Sequence, residues 1–385
     1  DGAMETASAL LRGQLRSGGW DSKIEFAPED RHTYAYRVDA DAGRKVRNVT
    51  TFDDDKSQSA IRFLMQLVVE LEFQDEAIHE GVLYALDAVV QAQYPGGAWP
   101  QRYSEFPAAG DHPVLPATIP KDGPRTYPGR DYAGFYTLND NTMSDLIVTM
   151  LDAWDVYQDP RYLHAAERGG DFLLRAQLPE PQPGWAQQYD ARMQPAWARK
   201  FEPPAITGGE SQGVMRTLIL LYRRTAVHSA AAERFLKVIP RAIAYYRRSL
   251  LQDGRLARFY ELGTNRPLFF TSQYELTYSA DDMPTHYAFI VGSKLDGIEA
   301  ELNDARKTAP ADLWKPKRIA PPQASSRLGQ TAATVIAALD ERGAWVEEGR
   351  LKYHGAEDST REVIRSDSFC KNLGILADWI GATKD

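Results

Sequence analysis

Two stretches of this chain close a helical run in the same manner. Gln91-Ala92-Gln93 passes into Tyr94-Pro95-Gly96-Gly97-Ala98-Trp99-Pro100-Gln101, and Arg175-Ala176-Gln177 passes through Pro181-Gln182-Pro183 into Gly184-Trp185-Ala186-Gln187. The two tryptophans stand 86 positions apart, which leaves room for two helical hairpins and their loops. A looser third copy runs from Arg247-Arg248 through Asp253-Gly254-Arg255 into Leu256-Ala257-Arg258-Phe259-Tyr260. Repetition on this scale predicts stacked hairpins, each unable to bury its apolar face alone, with their loops gathered on one side.

The hydrophobic pattern agrees. Ile61, Leu64, Leu67, Val68 and Leu71 recur at three- and four-residue steps after Asp53-Asp54-Asp55, and Ile78, Val82, Leu86 and Val90 mark a second helix. Stretches near 142–157, 161–177, 211–224, 231–250, 329–341 and 368–380 read the same way. Strand-like alternation is confined to short pieces such as Leu268-Phe269-Phe270 and Tyr274–Tyr278. The expected fold is mainly α: an α/α toroid, an incomplete barrel of helical hairpins with a few short strands and a cleft on the loop face. The plainer alternative is a set of hairpins with Gly/Pro turns and no shared site. Residues 1–385 are treated as one domain with a Pro/Gly/Ala-rich loop insertion at 104–131. An irregular stretch spans 308–328, and a C-terminal helical extension runs over about 295–385.

No run of ~18 apolar residues occurs, so no membrane span is expected. The net charge of −8, from 45 Lys+Arg against 53 Asp+Glu, argues against nucleic acid as a partner. The one cysteine, Cys370, excludes an intrachain disulfide, and its apolar neighbours predict a buried, inert thiol. The first residues lack the charged and apolar regions of a signal peptide.

Three kinds of segment, two acidic turns and a pair of basic loops, place polar residues where helix packing has no need of them. Thr51-Phe52-Asp53-Asp54-Asp55 sets three carboxylates side by side, a repulsion that a cation or a helix N-terminus would offset; it reads equally as an exposed cap. Thr137-Leu138-Asn139-Asp140-Asn141 also precedes an apolar helix, and its oxygens are of the hard type that calcium prefers. Trp197-Ala198-Arg199-Lys200-Phe201-Glu202 and Leu256-Ala257-Arg258-Phe259-Tyr260-Glu261 each set basic groups among aromatics, with Asn265-Arg266-Pro267 close behind. Guanidinium forks match carboxylates, and aromatic faces suit sugar rings. These loops point to recognition of an anionic sugar within an acidic protein.

Taken together, the motifs resemble the family 10 polysaccharide lyases, pectate lyases of α/α-toroid type. Gln91–Gln101 is similar to that family's A-Q-Y-P-N-G-G-W-P-Q, Thr51–Asp55 to T-I-D-N-x, and Thr137–Asp140 to T-F-N-D. Trp185–Asp190 resembles W-C-A-Q-H-D, with Tyr189 in place of the histidine; Ala198–Glu202 leading to Gly208-Gly209-Glu210-Ser211 resembles A-R-A-Y-E…S-G-x-E-S; and Ala257–Glu261 with Thr264–Pro267 resembles A-R-F-Y-E…T-N-R-P. The likeness runs from about 20 to 290, and Phe135 departs from it where a histidine is usual.

The resemblance implies cleavage of α-1,4-polygalacturonate by calcium-assisted β-elimination, giving 4,5-unsaturated ends. It implies Asp140, with Asp53 and Asp54, as calcium ligands and Arg199 as the base, a demanding role for a group of pKa above ~12. Nearby positive charge, from calcium, Lys200 or Arg258, is expected to lower that pKa, although an orienting or anion-stabilising role fits the physics equally well. Lys200, Arg258, Arg266 and Lys23 would grip neighbouring carboxylates, and Trp185 and Tyr260 would line the cleft. The substrate implies secretion, with a signal peptide expected to be missing from this sequence, and no obligate protein partner is inferred. The rival readings are an inverting glycoside hydrolase using Asp53 and Asp140, and a non-catalytic binder of acidic polysaccharide.

Overall fold

The apolar stripes fold as helices in the order α1 (Gly2–Gly13), α2 (Pro28–Arg31), α3 (Lys56–Glu70), α4 (Glu76–Gln91), α5 (Thr142–Tyr157), α6 (Pro160–Ala176), α7 (Glu210–Thr225), α8 (Arg234–Lys237), α9 (Ile239–Arg248), α10 (Leu295–Lys307), α11 (Ser326–Ala337) and α12 (Ser366–Thr383). The computed structural model describes residues 2–39, 46–120, 125–129, 131–315, 323–351 and 358–383. Parts of the 104–131 insertion (121–124 and 130), of the 308–328 stretch (316–322) and of the C-terminal extension (352–357 and 384–385) lie outside the described residues. No helix among the described residues is long and apolar enough to cross a membrane.

By its internal contacts the chain divides into two compact units, Asp1–Trp314 and Lys315–Asp385, where the sequence suggested one domain. α10, where the C-terminal helical extension begins, buries Leu295, Ile298, Leu302 and Ala305 within the first unit, packing on α7 and α9. Neither α1 nor α10 was anticipated from periodicity.

In the first unit α3, α5 and α7 pack successively as an inner row, while α4, α6 and α8 follow one another outside them, the arrangement of an incomplete α/α toroid. Capping sharpens the outer helices. Asp75 accepts from the Ile78 amide at 3.0 Å, and Asp159 accepts from the Arg161 amide at 2.9 Å ahead of Pro160.

The repeat has a physical anatomy. Trp99 and Trp185 are fully buried, and each indole N–H donates to a carbonyl of the preceding helix, Val89 at 2.9 Å and Leu173 at 2.8 Å. A buried indole needs such a partner. Trp20 repeats the device on α1 through Leu10. A helix-ending glutamine then ties each loop to the next outer helix. Gln14 Nε2 donates to Gly18 and Gly81, Gln93 to Gly97 and Ala165, and Gln177 to Pro183 and Val238, all at 2.8–3.2 Å. Gly97, at φ 84°, brings its loop so close to the Arg168 carbonyl that a Cβ would collide with it. In the third copy Leu256 takes the tryptophan position, and Tyr260 donates to the Ser249 carbonyl as Tyr189 does to Ala176, both at 2.6 Å.

Short strands join the loop ends. β1 (Thr50–Thr51) pairs with β2 (Arg102–Tyr103), and β3 (Tyr136–Thr137) with β4 (Gln188–Tyr189). A four-stranded antiparallel sheet runs β5 (Ala205–Thr207), β7 (Phe259–Glu261), β8 (Pro267–Phe270), β9 (Leu276–Thr277), while β6 (Leu256–Ala257) pairs with β10 (Ile290–Val291). β1, β3 and β5 each lead into the N-terminus of an inner helix, so this network collects at one end of the toroid.

In the second unit α11 packs on α12 and β11 (Glu347–Glu348) pairs with β12 (Glu362–Val363). Trp345 donates to Val335 at 2.7 Å, the same ten-residue reach as Trp99. Cys370 is exposed rather than buried: with α11 as its helical neighbour, α12 leaves the face carrying Phe369 and Leu373 open.

The glutamine latches generate a testable expectation. Gln93→Ala strands the Gly97 carbonyl and removes the second donor from the helical Ala165 carbonyl, a cost of about 1–3 kcal/mol. Calorimetry should show the thermal midpoint falling by several degrees; an unchanged midpoint would show that the latch contributes nothing.

Candidate active site

The inner helices α3 and α5 start from the same turn. β1 passes through Phe52 into Asp53-Asp54-Asp55, and β3 passes through Leu138 into Asn139-Asp140-Asn141. In each turn the last two residues adopt left-handed backbone: Asp54 at φ 52°, Asp55 at 60°, Asp140 at 49° and Asn141 at 58°. Asp and Asn tolerate this region better than other residues carrying a Cβ. Asp54 and Asp140 are 86 positions apart, the spacing of Trp99 and Trp185. The two turns pack against each other, and Asp53, Asp54 and Asp140 bring carboxylate oxygens within 4.8 Å of one another.

That proximity is costly. Burial, and then the Asp54 and Asp53 carboxylates, push Asp140 up to about 6. Part of the charge is already matched: Gln101 and Arg102 donate to Asp53 at 2.9 and 3.1 Å, Lys56 donates to Asp54 at 2.9 Å, and Asn139 Nδ2 donates to Asp140. Three hard oxygen donors with an elevated carboxyl among them fit a divalent cation of calcium's type. Oxygens this close suit a shared cation better than the ~6.5–9.5 Å carboxyl separation that an inverting hydrolase uses to hold its water.

The basic loop reaches this cluster through a chain of side chains. Gln187 Nε2 donates to Asn139 Oδ1 at 2.6 Å and to Glu202 Oε1 at 2.7 Å. Glu202, whose side chain is only 1% exposed, clasps Arg199, accepting from Nε at 2.8 Å, from Nη2 and from the Arg199 amide at 3.0 Å. Tyr287 donates to Glu202 at 3.1 Å. Arg258 pairs with Glu210, lies 4.7 Å over the Tyr287 ring and donates to the Ala288 carbonyl at 2.7 Å. Asp140, Arg199 and Arg258 therefore share one centre, and the Asp140 carboxyl senses Arg199 and Glu210 directly. The Arg199 side chain remains 41% exposed, so its guanidinium is open to a ligand.

Glu202 drives the Arg199 pKa above its ordinary value, the reverse of the expected depression. For Arg258, burial is outweighed by Glu210, Tyr287 and Asp140, and its guanidinium is likewise held charged. Lys200, exposed beside Arg199, sits 3.5 Å over the Tyr274 ring. Exposed Arg266 lies over Tyr278. Three expected contacts are not brought to the site. Trp185 and Tyr260 are 0% and 1% exposed, core residues whose polar atoms are spent on backbone carbonyls, so they do not line the cleft. Lys23 pairs with Glu25 at 3.0 Å, and among the described residues it touches none of the cluster.

Sequence reasoning missed Gln187, Glu202, Glu210 and Tyr287 as members of the site. Glu202 had a local signal, three residues after an arginine in a loop too short to separate them; Tyr287 had none. The repeat was the signal for the others: two positions after Trp99, Trp185 and Leu256 respectively, Gln101 meets Asp53, Gln187 meets Asn139 and Arg258 meets Glu210.

Comparison with known proteins identifies the fold and the family. Residues 14–286 match the family described as pectic acid lyase. A family 10 polysaccharide lyase from Cellvibrio cellulosa superposes with a TM-score of 0.55 at 23% identity, covering 79% of this chain and 91% of that one. An aspartate-to-alanine mutant of a family 10 lyase from the same organism, in complex with trigalacturonic acid, gives 0.56 at 21% identity over 79% and 92%. These likenesses establish the toroid. A comparison with curated proteins returns no match. With the family match spanning most of its length, the chain belongs to the pectic acid lyase family and is a polysaccharide lyase.

Proposed function

We propose that this enzyme cleaves polygalacturonate by calcium-assisted β-elimination. The observation that carries the reading is the side-chain chain Asp140–Asn139–Gln187–Glu202–Arg199, which joins a carboxylate cluster to an open guanidinium. A uronate unit needs both: a cation at its C6 carboxylate and a group facing its C5 proton. Asp53, Asp54 and Asp140 would hold calcium, which when bound draws charge from the C6 carboxylate and makes the C5 proton more acidic. The complex of a related lyase with trigalacturonic acid supports this substrate class, and the polymer's location outside cells places the enzyme's action there.

Arg199 takes the C5 proton, the C5–H electrons form the C4=C5 double bond, the C4–O bond breaks and the leaving oxygen is protonated from water. Arg258, braced by Glu210 and Tyr287, pairs with a neighbouring carboxylate, and Lys200 adds positive charge beside Arg199. Glu202 holds Arg199 in place but also holds it protonated, so only the small neutral fraction is competent. Below the pKa of Arg199 that fraction grows tenfold with each pH unit.

Incubation with de-esterified pectin should generate ultraviolet-absorbing unsaturated ends, abolished by EDTA and restored by calcium; reducing ends without that absorbance would refute elimination. Arg199→Ala should lower kcat about 10²–10⁴-fold while polymer binding persists. The wild-type log kcat should climb with pH without levelling near neutrality, and a plateau at pH 7 would strip Arg199 of the base role. Protons should compete with calcium at Asp140, so calcium affinity measured by calorimetry should fall about fivefold between pH 6 and 5; a pH-independent affinity would remove Asp140 from the ligand set.

A further inference from the structure

The 104–131 insertion meets the sheet next to the site. The Ala117 amide donates to the Arg175 carbonyl at 2.8 Å, and the Thr118 amide donates to Met193 at 3.0 Å. Farther on, the Tyr127 ring lies 6.0 Å from Trp197, two residues before Arg199. Arg125, on the same stretch, crosses to the β7–β8 hairpin, pairs through Nη1 with Glu261 and donates from Nη2 to the Tyr278 hydroxyl at 3.1 Å. Arg266, which faces Glu261 across that hairpin, stands 3.3 Å over the same Tyr278 ring.

Two guanidinium groups thus flank one tyrosine, 3.3 and 5.7 Å from its ring centroid, against a single carboxylate. Glu261 is fully committed: despite partial burial, Thr264, Tyr278 and Arg125 hold it ionised down to about 2, and it balances one cation only. Arg266 has no ion-pair partner among the described residues, and the Arg125 side chain is 59% exposed with three of its five N–H donors unused. The cluster therefore carries an uncompensated positive charge facing solvent in a protein of net charge −8. Glu261 follows Arg258 by three residues along β7, about 10 Å at ~3.3 Å per residue. A polymer seated at Asp140 and Arg258 has further sugar units within that reach.

We propose that Arg125, with Arg266 and the Tyr278 ring, forms a distal subsite for a galacturonate carboxylate, built partly from the insertion. The proposal rests on the pectate-lyase reading for its ligand. The missing anion comes from the substrate: a carboxylate accepts from the free edges of both guanidinium groups while the sugar lies against the ring rim. The opposing account is a structural latch in which Arg125 only pins the insertion to Glu261.

Four variants separate the two. Affinity electrophoresis through polygalacturonate in EDTA reads retention whether or not elimination occurs, so it tests the subsite even if the wild type proves catalytically inert, an outcome that would sink the function proposed above but not this one. Arg125→Ala and Arg266→Ala should each weaken retention about tenfold, and Arg125→Lys should recover part of it. Glu261→Gln breaks the latch but keeps both cations, and it should strengthen retention. In kinetics, Arg125→Ala should raise KM more for polymer than for the shortest oligogalacturonate cleaved. Equal losses on both substrates, or Glu261→Gln weakening retention as Arg125→Ala does, would overturn the subsite in favour of the latch. Unchanged retention in both alanine variants would overturn it outright.

Discussion

A carboxylate buried almost completely must be paired, because an unmatched charge in a protein interior costs several kcal/mol. Glu202 meets that demand with Arg199, Gln187 and Tyr287 at once, and the rest of the site follows from it. Gln187 is held by Glu202 on one side and reaches Asn139 on the other, so the left-handed turn bearing Asp140 is fixed relative to the basic loop. A guanidinium bound along one edge by a fixed carboxylate loses little further rotamer freedom on meeting a substrate, and that preorganisation favours reaction. The same clasp keeps Arg199 protonated. Precision of placement and readiness to accept a proton are set against each other.

The site is also a product of repetition. Successive hairpins present a strand, a large apolar anchor and a polar residue two positions later, which meets the start of an inner helix. Gln101–Asp53 is the neutral-to-acidic version of this contact, Gln187–Asn139 the neutral one and Arg258–Glu210 the charged one. Substitutions at equivalent positions give one repeat a carboxylate cluster and another a cationic wall. The tryptophan and glutamine devices behind them stay nearly constant, since a buried indole and a buried carbonyl have the same needs in every copy.

Departures from the expected residue roles share one cause. Trp185 and Tyr260 carry the aromatic faces that suit sugars, yet both are anchors whose polar atoms are consumed by the preceding helix. The aromatic surfaces near the basic groups belong instead to Tyr287, Tyr274 and Tyr278, residues with no helical period to advertise them. Lys23 sits near the start of the family match, but its partner is Glu25, two residues away, which gives it no reason to reach the cluster.

The amino-acid order alone determined the helical class, the 86-residue spacing of the hairpins and the four acidic and basic loops, because apolar period and turn chemistry are local properties that short stretches of chain express. Which of those loops meet, and through which intermediaries, was decided only by the tertiary structure. Asn139 and Gln187 are 48 positions apart, Arg125 and Glu261 136. No local pattern encodes a contact between them; it exists because the toroid brings strand ends to one face. The pKa directions at Asp140 and Arg199 belong to the same category, since they depend on burial and on neighbours that the fold, and not the sequence position, supplies.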